Sequence, residues 1–195
     1  MKVMIKNFFI LLIISILPIN AFALIEVDIT RGNLNPLPLA VSPLSIDNKS
    51  KKSFDKILKK ENIGIEISII VENNLRTSGL FNPLSKDAFL QAPDIANLKP
   101  RFEDWNLIKA QALITGKVTY VNEKLRVEFR LWDILAGKEM MALAFTTVPD
   151  NWRRVGHIIS DKVYERLTGE KGYFDTRIIY VAEEGPKTQR IKKLF

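Results

Sequence analysis

His157 is the sole histidine of the chain, it stands in the run Trp152-Arg153-Arg154-Val155-Gly156-His157, and the sequence has no cysteine. Without a thiol there is no disulfide framework, no thiolate zinc site and no cysteine nucleophile. A general base needs a nucleophile or a second titratable group held beside it in a pocket, whereas the acidic residues here come one at a time along strands and turns. His157 therefore reads as a structural or surface histidine. Asn73, Asn74 and Asp87 lack a matching calcium ligand set, and no phosphate loop is present. The inventory predicts no catalytic residue, no metal and no cofactor. What remains is the chemistry of backbone and surface charge. Ile25, Val27 and Ile29 alternate with Glu26 and Asp28 ahead of Thr30, the period of a strand with one wet face, able to pair with its own sheet or elsewhere. Lys49, Lys51, Lys52, Lys56, Lys59 and Lys60 could meet an anionic surface; interleaved with Phe54, Ile57 and Leu58, they fit one solvated helix face better.

These groups belong to a chain of 195 residues with 29 basic against 22 acidic side chains, enough for one domain or slightly more. At 47% apolar and 26% charged it can bury a core and is not a multispan membrane protein. Lys2 and Lys6 precede the apolar run Phe8 to Leu17, followed by Pro18 and Ala21-Phe22-Ala23. Such a run has about half the length needed to cross a bilayer, so residues 1–23 are expected to be a signal peptide cleaved after Ala23. The exported chain stays mildly basic. Its surplus would face acidic proteins or anionic envelope lipids.

Residues 24–35 read as a flexible arm, because Gly32, Asn33, Asn35 and Pro36 interrupt pairing after Thr30. Leu37 to Leu44 is extended, and its prolines should confine it to an edge or to strand ends. Asp47 to Lys60 is a helix. From Glu61 to Thr77 the isoleucines fit a strand at period two and a helix at 3.6; the unpunctuated length and Ser78-Gly79 favour the helix. Leu80 to Leu84 is extended, Ala92 to Pro100 is expected to be a surface loop, and a short helix should cover Phe102 to Ala110 with Trp105 and Ile108 inward. Leu125, Val127, Phe129 and Leu131 mark a strand, with Leu113 to Val121 and Met140 to Thr147 as its meander partners across short turns. Asp150 is expected to cap a last helix that buries Trp152, Val155, Ile159, Val163 and Leu167 on the meander and ends at Gly169. The predicted fold class is α+β: a mixed sheet built on an antiparallel meander, with two to three helices packed on it.

Several stretches together resemble the amino-terminal domain of the TolB family. They are Asn74 to Leu84, Ile114-Thr115-Gly116-Lys117-Val118, Trp152 to His157 continuing through Ser160 to Glu165, and Leu167 to Val181. The resemblance implies a small α+β domain over residues 36–172 and settles Glu61 to Thr77 as helix. It implies a non-catalytic periplasmic module of a Tol-Pal-like system for envelope integrity and cell division, expected as a monomer. Ile25, Glu26, Val27, Asp28, Ile29 and Thr30 would bind a TolA-like protein by adding a strand to its sheet. The family's C-terminal propeller, which binds Pal, has no counterpart beyond residues 173–195, which resemble the opening strands of a first blade. The chain is thus expected to be a truncated homologue with Pal binding in doubt. The other readings are a basic exported domain on anionic lipid or lipopolysaccharide, or a gene fragment without function.

Overall fold

The computed structural model describes residues 35–177, 181–186 and 189–194. Its centre is a mixed sheet. β1 (Leu37–Val41) lies between β3 (Phe81–Pro83) and β4 (Ala112–Val121), parallel to both, and β2 (Ser45–Ile46) also pairs with β4. β5 (Lys124–Asp133) and β6 (Lys138–Thr147) continue from β4 as an antiparallel meander, giving the order β3-β1-β4-β5-β6. The turn between β4 and β5 holds Asn122 and Glu123 at φ 50° and 60°, the left-handed pair that matches the twist of a two-residue hairpin. β1 is internal, not an edge. Pro38 is accommodated because it sits near the strand's start, where β4 has not yet begun: pairing with β4 opens at Leu39, and the Pro38 carbonyl still accepts from Gln111 N.

The face carrying Leu125, Val127, Phe129 and Leu131, all at most 1% exposed, is covered by helices. α1 (Asn48–Leu58) starts at Asp47, whose Oδ1 accepts from Ser50 N at 2.9 Å. The Ser50 hydroxyl donates to Asp47 Oδ2 and accepts Tyr120 N, so the same cap fastens α1 to β4. α2 (Ile63–Thr77) buries Ile63, Ile67, Val71 and Leu75 while Ile65 and Ile69 are each 41% exposed, the outcome of a 3.6-residue period. α5 (Trp152–Thr168) buries Trp152, Val155, Ile159, Val163 and Leu167. Each is worth about 1.5–3 kcal/mol before chain entropy is counted. α2 and α5 touch through Gly156, where a Cβ would come 2.9 Å from Ile70 Cγ2; only hydrogen lets the helices approach this closely.

Three local expectations differ. Asp150 does not cap α5: Pro149–Asn151 forms a 3-10 turn, Asn151 stands at the cap position, and its side chain bonds back to Thr147 instead. The stretch from Ala92 to Pro100 contains a helix, α3 (Pro93–Leu98), because Pro93 at its first turn supplies the helical φ at no cost in hydrogen bonds. α4 (Phe102–Leu107) stops one turn short of the expected Ala110, and Lys109 at φ 61° turns the chain into β4. Its Trp105 joins Ala40, Leu113, Trp132 and Ile134 in a second core on the opposite sheet face, where Trp132 Nε1 donates to Thr115 Oγ1 at 2.9 Å. Gly169 ends α5 at φ 75°, as its position indicated. A separate hairpin of β7 (Val181–Glu184) and β8 (Ile191–Leu194) follows.

Candidate functional site

Ile25, Glu26, Val27, Asp28, Ile29 and Thr30 lie outside the described residues, as do the signal peptide 1–23 and its cleavage point. What is described is their base. Asn35 and Pro36 lead directly into β1, which already has a neighbour on each side.

His157 is brought to Asn74, with Nδ1 2.9 Å from Asn74 Nδ2. The same amide nitrogen donates to Ser160 Oγ at 2.9 Å, and that hydroxyl donates to Gly156 O. Serine and histidine thus share an asparagine rather than a proton, and Ser160 is fully buried. The group ties α2 to α5 and places no nucleophile at a base. Among the described residues no cluster of three or more His, Cys, Asp or Glu side chains is placed to hold a metal ion. Asn73 and Asp87 take structural parts: Asn73 Oδ1 accepts from Arg76, and Asp87 meets Ser85.

The lysine cluster divides. Lys51 pairs with Glu61 at 3.6 Å and Lys60 with Glu66 at 3.3 Å, while Lys60 and Arg153 both lie over the Trp152 ring. Lys49, Lys52, Lys56 and Lys59 are exposed. Lys52 also lines a shallow hollow of about 340 Å³ together with Asn48, Lys51, Asp55 and Glu61, in which both signs of charge are mixed.

A constellation that sequence reasoning missed joins α5 to the segment after it. Asp161 Oδ1 accepts from Phe174 N at 2.6 Å and Oδ2 from Asp175 N at 3.1 Å. Arg154 grips both oxygens of Asp175 at 3.1 Å, and Tyr173 and Phe174 set their rings against Tyr164. A Cβ on Gly172 would stand 2.4 Å from Asp161 Cα, so only glycine lets the chain fold back this tightly. The available signal was the string Gly172-Tyr173-Phe174-Asp175 itself, an aromatic pair between a glycine and an acid just after a helix end. No helix among the described residues is long and apolar enough to cross a membrane.

The fold and these contacts define a class: a small α+β domain whose mixed sheet carries helices on both faces. The chain belongs to the TolB amino-terminal domain family, which matches residues 25–140. The Tol-Pal system protein TolB of Pelagibacter ubique (strain HTCC1062) is 83% identical over 191 residues, covering 98% of this chain and 42% of that protein. The chain therefore spans less than half the length of this relative. Among solved structures, the crystal structure of TolB from Acinetobacter baumannii aligns at a TM-score of 0.59 with 23% identity, over 81% of this chain and 35% of that one, and shares the fold. The C-terminal domain of LpoB from Salmonella enterica aligns at 0.39 with 11% identity, over 60% of this chain and 86% of that one.

Proposed function

We propose that the chain is a non-catalytic periplasmic binding module of a Tol-Pal system, and that the arm Ile25 to Thr30 engages a TolA-like protein by strand addition. The observation that carries this reading is the 83% identity to a Tol-Pal system protein across almost the whole chain. It is supported by the family match beginning at Ile25, the first alternating apolar residue of the arm. The mechanism follows from the alternation. Backbone N–H and C=O groups give affinity without regard to sequence, Ile25, Val27 and Ile29 fill pockets on one face of the acceptor sheet, and Glu26 and Asp28 stay in water on the other.

In this reading residues 1–23 are the export signal, 24–35 the arm, 36–172 the folded body, and 173–195 the beginning of a propeller blade. Pal recognition belongs to the propeller, and the body alone offers no inherited surface for it. Titration of a TolA C-terminal domain against the chain, with and without Leu24 to Thr30, tests the arm. Binding lost on deletion supports the proposal, and equal affinity of the two forms overturns it.

A further inference from the structure

Asn74, His157 and Ser160 meet where α2 packs on α5, and their hydrogens can be counted. Ser160 Oγ lies 2.9 Å from the Gly156 carbonyl, which can only accept, so the single hydroxyl proton is spent there. Toward Asn74 the hydroxyl must therefore accept, and the amide atom 2.9 Å from it is the nitrogen. That same nitrogen stands 2.9 Å from His157 Nδ1 and gives it the second amide proton. His157 Nδ1 is thus an acceptor, and the neutral ring carries its own proton on Nε2. Asn74 is half-buried, and no donor among the described residues reaches its Oδ1, so that end of the amide is left to solvent.

A proton arriving at Nδ1 from solvent sets two donors, ring and amide, face to face. Turning the amide over about its last bond places Oδ1 where Nδ2 was, and one oxygen can accept from both Nδ1–H and the Ser160 hydroxyl. The Ser160 proton then leaves the Gly156 carbonyl, which keeps the helical bond from Ser160 N, and no polar group is left unpaired. The two arrangements use the same positions. They differ at the outward end of the amide, which is an acceptor in one and a donor in the other.

We propose that these three residues form a proton-responsive latch between α2 and α5, in which protonation of His157 Nδ1 turns the Asn74 amide over and reverses the hydrogen-bonding sense of the group shown to solvent. The charges nearby are committed elsewhere. On α5, within one turn of His157, Arg153 lies over Trp152, Arg154 grips Asp175, and Asp161 holds the amides of Phe174 and Asp175. Tyr164, two turns along, packs its ring on Tyr173 and Phe174. On α2 the residues one turn from Asn74 are Ile70, Val71, Thr77 and Ser78, none of them charged. Glu72, turned to another side of that helix, pairs with Arg76 and Lys86. The amide is the group left to answer the ring.

The chain has one histidine, so nitrogen-15 labelling of histidine in the untagged chain gives ring signals from His157 alone. At about pH 8 the neutral ring should be the Nε2–H tautomer, and the Asn74 amide protons should show nuclear Overhauser contacts to the Ser160 β-protons. Between about pH 8 and pH 5, the range in which an imidazole titrates, those contacts should disappear in step with ring protonation. Ser160→Ala removes the acceptor that fixes the amide and should admit both neutral tautomers. Asn74→Asp, whose carboxylate can only accept, should move the neutral ring's proton to Nδ1. The wild-type readings stand without either variant. A mixture of neutral tautomers in the wild type would overturn the proposal, as would Asn74 contacts that persist after His157 has charged, or a ring still neutral at about pH 5.

Discussion

Asp47 holds the start of α1 through two bonds, one to the Ser50 amide and one to its hydroxyl, and Ser50 carries the connection on to β4. The backbone bond from Ser50 is the main reason its carboxyl is held below the ordinary value of 3.8, with the Ser50 hydroxyl and Lys117 adding to it against some desolvation. A carboxylate with a depressed folded value contributes stability that is complete above the unfolded value and is lost as pH falls through the folded one. Asparagine caps as well as aspartate but does not titrate. Between pH 5 and about pH 2 the wild-type chain should therefore lose stability relative to Asp47→Asn, with the difference developing below about pH 4. Urea titrations of both proteins across that range check it, and parallel curves would assign the cap no role in acid stability. His157 makes the complementary point. Its ring meets the Asn74 amide, which also donates to the buried Ser160 hydroxyl, so its geometry is that of a tie between two helices.

At the scale of elements, α5 is the organiser: it packs on α2 through Gly156, on the sheet through its apolar stripe, and on the following segment through Arg154, Asp161 and Tyr164. The body thus continues as far as Asp175 in its contacts, three residues past the proposed boundary at Gly172. β7 and β8 are different. Val181, Ile191 and Leu194 are 56%, 62% and 73% exposed, and the hairpin's ion pairs, Arg190 and Lys192 with Glu183 and Lys193 with Glu184, join its own strands. Deleting residues 178–195 should leave the melting temperature within a few degrees. Deleting 173–195 removes two amides bonded to a carboxylate and two packed rings, and should cost about 2–4 kcal/mol. Thermal melts of the two truncations read this directly, and equal stability would show that the Asp161 contacts carry no weight.

For the whole molecule, the excess of 29 basic over 22 acidic residues raises the question of an anionic partner. The fold answers part of it by pairing Lys51 and Lys60 with Glu61 and Glu66, which leaves Lys49, Lys52, Lys56 and Lys59 exposed around α1. At about 1 kcal/mol per lysine near an anionic bilayer, these support an affinity only in the millimolar range. Phosphatidylglycerol vesicles should bind the chain weakly and release it by about 0.5 M salt, where the Debye length has fallen below about 5 Å. Strand addition by the arm should persist there. Tight vesicle binding at low salt that collapses by about 0.5 M would favour the lipid reading over the arm.

Much of this was legible because it is local. Periods of 2 and 3.6 residues mark which side chains can share a face, and they located the meander, α2 and α5, with the isoleucines of α2 decided by length and an exit glycine. The sequence determined the absence of thiol chemistry and the alternation of the arm by residue type alone. Tertiary structure decided what depends on distant neighbours. β1 became internal because β3 and β4 come from segments about 40 and 70 residues away, and proline's position near the strand start made that affordable in hydrogen bonds. The Asp161 clamp and the link from Asn74 to His157 and Ser160 belong to the same kind: a polar side chain's partners are set by how elements assemble, and no period along the chain records which distant group will meet it.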